Sequence, residues 1–356
     1  MTPSAIGGFF ELELPRGGRP FHGGAGHFQS ARAAFLALLL AGTPRRIWMP
    51  YYICSTMVDS ARQAGVDLAF YDIDEHFRIP ASVWPEKGEW LVYVNYFGVC
   101  GNEVEALMDR YDRAAIVIDS SQSLFSPPAA GLATIYSPRK FLGIPDGGLL
   151  VSTLGVPEPD TVDQGSYVRA LPLIKRAAFS PEVAYQSHVE AEHTLFYQQP
   201  MQMSRLTRRM LASIDLEKVR QVRNRNFAYL HRSLGHINLL PIEAATVNGP
   251  LCYPLLTKYS TIRDYLISKR IYVPTYWKDV LDMVSPSSFE AFLVRHLVPL
   301  PCDQRYGEKE MKEVVAACES AIQRESEDDR LQSEKDAAAD GIARNVKYLH
   351  DHHPQR

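Results

Sequence analysis

Between residues 30 and 152 short apolar runs alternate with helical stretches, and the runs show no strict polar–apolar alternation. This pattern constrains the fold more than any other feature of the chain. Residues 30–40 read as a helix with Ser30 as N-cap and Gly42 just past its end. Strands are expected at 46–49 (stopped by Pro50), 68–73, 91–96, 115–119, 132–136 and 148–152, with helices at 55–64 and 102–111 between them. Strands that are apolar on both faces belong in a parallel sheet covered by helices on both sides. The expected class is α/β, and in such sheets ligands gather at the carboxyl ends of the strands. Segments 50–54, 95–98, 119–122 and 137–140 are therefore the places to look for chemistry.

Beyond the sheet, residues 155–200 read as irregular, with several prolines and aromatics. A long helix is expected over 205–234, with an apolar stripe through Leu211, Ile214 and Val222. After Gly235 a smaller α+β unit follows, with strands at 251–256 and 297–300 and helices at 260–269 and 308–323. The last stretch, from about 324 to 356, is charged and weakly apolar, and is expected to be a mobile tail. No internal repeat is visible.

Charge and cysteine usage narrow the classes of function. Thirty-eight Lys and Arg against 41 Asp and Glu leave a net charge of −3, which argues against a nucleic-acid binder. Five cysteines, at 54, 100, 252, 302 and 318, are odd in number and contain no CxxC pair. That argues against a zinc site or disulfide framework and for reduced thiols in the cytoplasm. The N-terminus lacks the basic and apolar regions of a signal peptide. The longest apolar stretch, 33–41, is about half of a membrane span. The chain is expected to be soluble and cytoplasmic, with no membrane contact.

Two residues carry the strongest chemical signal. Asp119 closes a buried strand and opens Asp119-Ser120-Ser121-Gln122. It could cap a helix, or lie beneath a ligand at the sheet edge. Lys140 follows a strand and precedes a Gly147-Gly148 turn into the next. It could be a surface charge, or a lysine held among apolar residues that loses its proton readily and forms a Schiff base. Together, an acid at one strand end and a Ser-x-x-Lys some twenty residues later suit pyridoxal phosphate (PLP). The start of the helix at Ser30-Ala31-Arg32 offers unsatisfied amides and a guanidinium to a phosphate, or is an ordinary capped helix. His188 and His193, flanking Glu190 and Glu192, are a weak metal candidate that needs fixed geometry from an irregular segment, and the tail residues His350, His352 and His353 suit adventitious metal affinity rather than a site, so no metal is expected. Arg205, Arg208, Arg209, Arg220, Arg223 and Arg225 could attract an anionic nucleotide or form a solvated face.

At this point the residues resemble a family, the DegT/DnrJ/EryC1/StrS aminotransferases, a group of fold-type I PLP-dependent sugar aminotransferases. Ser30-Ala31-Arg32-Ala33-Ala34 stands where that family has SGTAAL. Met49-Pro50-Tyr51-Tyr52 and Phe70-Tyr71-Asp72-Ile73-Asp74 are similar to its P-x-Y and F-x-D-I-D stretches. Ile118-Asp119-Ser120-Ser121-Gln122 is similar to its D-x-A-Q/H motif, and Tyr136-Ser137-Pro138-Arg139-Lys140 through Gly147-Gly148 to its lysine segment. Val298-Pro299-Leu300-Pro301 is similar to a later L-P strand.

The resemblance implies a central sheet of the mostly parallel seven-stranded type, sandwiched by helices. A large PLP-binding domain would span 1–235, a small C-terminal domain 236–324 and the tail 325–356. Lys140 would hold the cofactor aldehyde and move the proton, Asp119 would pair with the pyridine N–H, and Gln122 would contact the ring's 3-oxygen face. Ser137, Ala31 and Arg32 would hold the phosphate. Amino-group transfer would run from glutamate to a keto sugar, normally nucleotide-linked, in polysaccharide or secondary-metabolite synthesis, and the enzyme would be a homodimer. The chain departs from the pattern in places. Cys54 falls where many members stack an aromatic on the ring, which leaves Tyr52 as the candidate. Pro145-Asp146 replaces Gly-Glu, and Met201-Gln202-Met203-Ser204-Arg205 replaces an N-x-R-M that reaches across the dimer. Asn95 and Trp277 are candidate substrate contacts, with a domain-interface role as the alternative for Trp277. Two further readings stay open: a non-catalytic binding or regulatory module, and a PLP enzyme acting on a non-nucleotide keto compound.

Overall fold

The computed structural model describes residues 8–15 and 22–351. Its centre is a seven-stranded sheet in the order β1-β7-β6-β5-β4-β2-β3. The strands are β1 Gly26–Phe28, β2 Arg46–Pro50, β3 Asp67–Tyr71, β4 Glu89–Val94, β5 Ile116–Ser120, β6 Ala133–Tyr136 and β7 Gly148–Ser152. Strands β2 to β6 pair in parallel, and β7 runs antiparallel to both β6 and β1. Every residue of β4, β5 and β6 is buried, which is why these runs lack alternation. The short β1 was not anticipated from sequence: three residues carry too little pattern.

Helices α1 Ala31–Gly42, α2 Ser55–Gln63 and α3 Gly101–Arg110 connect the strands. Ser30 caps α1 by accepting a hydrogen bond from the Ala33 amide at 3.1 Å. The stretch read as irregular holds two helices, α4 Ser166–Ala178 and α5 Pro181–His193. Their polarity is inverted: Tyr167, Leu171, Ile174 and Tyr185 are exposed, whereas Arg169 is buried. Pro172 lies inside α4. Neither an inward apolar stripe nor a clean stop signal marks these helices in the sequence.

The single helix expected over 205–234 is two, α6 Arg205–Leu211 and α7 Leu216–Leu234. Asp215 separates them by capping α7 through the Lys218 amide at 3.0 Å. The small unit pairs β8 Tyr253–Leu256 antiparallel with β9 Leu297–Leu300. Helices α8 Ile262–Ser268, α9 Phe289–His296 and α10 Glu308–Asp351 surround that pair. Phe227, Leu230 and Leu234 of α7 belong to its core, so the small unit's packing begins before residue 235. The segment expected to be a mobile tail is helical as far as Asp351, an extension of α10.

Candidate active site

Asp119 lies at the carboxyl end of β5, level with Val94 of β4 and Ile135 of β6, in the middle of the sheet. It is buried, and its Oδ1 accepts a hydrogen bond from the Ser121 amide at 2.9 Å. A turn follows rather than a helix, so the helix-cap alternative does not apply.

Lys140 closes a 3₁₀ turn, Pro138–Lys140, directly after β6. Its amide donates to the Ser137 carbonyl at 3.1 Å. Lys140 is exposed and lines a cavity that Leu142, Ile144 and Pro145 also line. The next residue is clamped from behind: the Phe141 carbonyl accepts from Arg223 Nη2 at 3.1 Å and from Gln304 Nε2 at 2.7 Å. Arg223 is almost wholly buried and also donates to Gln304 Oε1 and to the Pro250 and Leu251 carbonyls. This arginine, grouped in the sequence with a cationic face, fastens α7 to the lysine turn.

The start of α1 meets the lysine segment through Gly148. A Cβ there would stand 2.2 Å from the Ser30 carbonyl carbon and oxygen and 2.4 Å from the Ala31 nitrogen. Gly147, at φ +125°, adopts a backbone that side chains resist, and its amide donates to the Gln29 carbonyl at 2.7 Å. Two departures from the family pattern turn out to be one contact. The buried Asp146 accepts from the Ser204 amide at 3.1 Å and its hydroxyl at 2.6 Å.

A cavity of about 530 Å³ joins these parts, within the range that small-molecule sites occupy. Ser30, Ala31, Arg32, Asp119, Ser137 and Lys140 all line it, as does the half-buried Cys54. The opposite wall is α4 and α5, contributing Arg169, His188 and Glu192. Among the lining residues four cations, Arg32, Arg139, Arg169 and Lys140, stand against two acids, Asp119 and Glu192; with Asp163 behind Arg169 the balance is still one positive charge, so the cavity suits an anionic ligand. Arg169 forms a close ion pair with Asp163 and lies against Gly165, where a Cβ would be 2.5 Å from its Nη1. Arg32 donates to the Leu195 carbonyl at 2.6 Å and sits 4.7 Å over the Phe196 ring. Sequence reasoning assigned Arg139 and Arg169 no role and offered Glu192 only within a weak metal set; the buried Arg169 among the exposed apolar residues of α4 was the one available signal.

Four candidates lie outside the cavity lining. Tyr52 is fully buried, stacked on Tyr96 at 5.7 Å with Trp277 edge-on at 4.6 Å, so it is corrected from ring-stacker to core residue. Burial of its hydroxyl, which has no partner, raises its pKa. Trp277 takes the domain-interface alternative, packing on Tyr52, Tyr96 and Tyr276. Asn95 is buried and accepts from the Cys100 amide at 3.3 Å. Gln122 is buried, and its Oε1 accepts from the amide of Phe97, a residue at φ 56°. Its Nε2 is buried without a partner, and the side chain lies outside the cavity, which corrects the expectation that it contacts the cofactor ring. No group of three or more metal-ligating side chains occurs among the described residues, and His352 and His353 lie outside them. No helix among the described residues is long and apolar enough to cross a membrane.

The architecture is the fold-type I fold, shared with solved aminotransferases. Solved structures with this fold include PseC of Helicobacter pylori, an aminotransferase of pseudoaminic acid biosynthesis. PseC is 15% identical with a TM-score of 0.57 over 84% of this chain and 87% of that one. TlmJ, an aminotransferase of Streptoalloteichus hindustanus, gives 14% and 0.59 over 84% and 86%. A DegT/DnrJ/EryC1/StrS aminotransferase of Brucella abortus gives 14% and 0.56 over 83% and 85%. The resemblance read from the motifs is thus met at the level of the fold. No protein-family model matches the sequence, and no curated protein sequence matches it.

Proposed function

We propose that this protein is a PLP-dependent aminotransferase that moves an amino group from an amino acid, glutamate in the first instance, to a nucleotide-linked keto sugar. One observation carries the reading: a single cavity gathers Lys140, the buried Asp119, Ser137 and the start of α1. The residues fit the cofactor. The first amides of α1 lack acceptors within the helix and, with Ser137 and Arg32, take the phosphate. Asp119 serves the pyridine N–H. When bound, PLP supplies an electron sink for amino-group transfer. Lys140 holds the cofactor and carries the proton at Nζ, and the open cavity around it leaves room for a substrate.

Spr1654 of Streptococcus pneumoniae, solved in PLP and PMP forms, and DesI, solved with its TDP-sugar product, share this fold and support the cofactor and substrate class. The exposed apolar face of α4 and α5 supports a homodimer that buttresses the cavity wall. We place the enzyme in the cytoplasm, in surface-polysaccharide or secondary-metabolite synthesis. Addition of PLP is expected to produce a visible absorption band that glutamate removes with release of 2-oxoglutarate. A band that forms but survives every amino donor would instead favour a non-catalytic binding protein, and no band would overturn the proposal.

A further inference from the structure

Arg139 sits one residue before Lys140, on the same turn, and lines the same cavity. It holds a carboxylate supplied by the chain itself. Both terminal nitrogens face the two oxygens of Glu192, Nη2 in close contact with Oε1 and Nη1 at 3.5 Å from Oε2. This fork-on-carboxylate arrangement is the way a guanidinium takes a free carboxylate ligand.

The pair is not built like a structural bridge. Arg139 Nε is buried without a partner. Arg223, by contrast, has acceptors at Nε and at both terminal nitrogens. Glu192 lies in the last turn of α5, its side chain about a third exposed, and Arg139 is its side-chain hydrogen-bond partner. We propose that Arg139 anchors the carboxylate of the amino-acid substrate, and that Glu192 is an internal placeholder which that carboxylate displaces. The inference rests on the proposed aminotransferase reading: Arg139 and Lys140 line one cavity, so a substrate whose amine reaches Lys140 has its carboxylate in the space that Arg139 faces. A carboxylate is favoured over the cofactor phosphate because the start of α1 and Ser137 already provide for the latter.

The probe is glutarate, an unreactive dicarboxylate, titrated calorimetrically into the protein with and without PLP. Removing the competitor in Glu192→Gln is expected to tighten glutarate binding about tenfold. Arg139→Gln is expected to weaken it about tenfold or more, the scale of a hydrogen bond to a charged group. The double variant is expected to bind no more tightly than Arg139→Gln alone. If Arg139→Gln does not fold, Arg139→Lys, which keeps the charge but not the fork, is expected to weaken binding several-fold and abolish the gain from Glu192→Gln. Unchanged affinity in Glu192→Gln, or in the arginine variant, overturns the proposal. So does a parallel titration in which inorganic phosphate, and not glutarate, depends on Arg139. The PLP-free titration reads the anchor by itself, so a protein that never binds PLP would fail the aminotransferase reading separately.

Discussion

Gly148→Ala tests whether the start of α1 and the lysine segment form one rigid unit. The new Cβ would lie 2.2 Å from the Ser30 carbonyl carbon and oxygen, and real contacts of this kind essentially never fall below 3.0 Å. The gap between β7 and α1 must therefore open by about 0.8 Å. Backbone atoms are in the way, so no rotamer change relieves the contact. Helix α1 has little freedom to retreat, because Ala34, Phe35, Leu36, Leu38 and Leu39 are all buried at 1% exposure or less. Overpacking a close-packed site costs about 1–3 kcal/mol, and a clash with backbone on this scale belongs at the upper end. The same displacement moves the Ala31 and Arg32 amides. Losing one charge-assisted hydrogen bond to the phosphate weakens PLP binding by about tenfold or more. Gly143→Ala is the control: it lies in the same segment, and a Cβ there meets nothing within 4 Å. Thermal unfolding and PLP titration followed by absorbance read the two effects. A Gly148→Ala protein matching Gly143→Ala in both would refute the reasoning.

Two further predictions follow from titratable groups. Burial pushes the Cys100, Cys302 and Cys318 thiols up to about 12 and raises that of Cys252, whereas Cys54 is half-buried in the cavity wall. A thiol reagent at neutral pH should therefore label Cys54 alone in the native protein, PLP should slow the labelling, and Cys54→Ser should abolish it. Burial lowers the pKa of His22, against a hydrogen bond to the Leu124 carbonyl that raises it, and burial together with Arg208 lowers that of His27. The unfolded chain then binds protons that the folded one refuses. Stability is complete above the ordinary histidine pKa of about 6.5 and is lost as the pH falls through it. Urea midpoints at pH 7.5 and 5.5 should show this loss, and His22→Gln should reduce it; an unchanged pH dependence in that variant would refute the assignment.

The parts of the site that are legible in the sequence are those fixed by local pattern. Strand β5 with Asp119 at its carboxyl end, the lysine turn after β6 and the Ser30 cap each carry their signal within a few residues. What stayed hidden depends on partners distant in the chain. Tyr52 and Cys54 are two residues apart, and only packing against Tyr96 and Trp277 decides which one faces the cavity. Arg223 looks like its neighbouring surface arginines until the Phe141 and Pro250 carbonyls are brought to it. Helices α4 and α5 were illegible because large apolar residues of α4 (Tyr167, Leu171, Ile174) are exposed while Arg169 is buried, and α5 buries only the small residues Ala184, Ser187 and Ala191, so neither shows the inward apolar stripe by which a helix is recognised.

The central claim is that Lys140 is the residue that holds the cofactor. Borohydride reduction of the PLP-treated protein, followed by peptide mass mapping, tests it most directly. The reduced cofactor mass is expected on the peptide containing Lys140, with no fixed cofactor in Lys140→Ala. Cofactor fixed to a different lysine, or equal labelling of the Lys140→Ala protein, would contradict it.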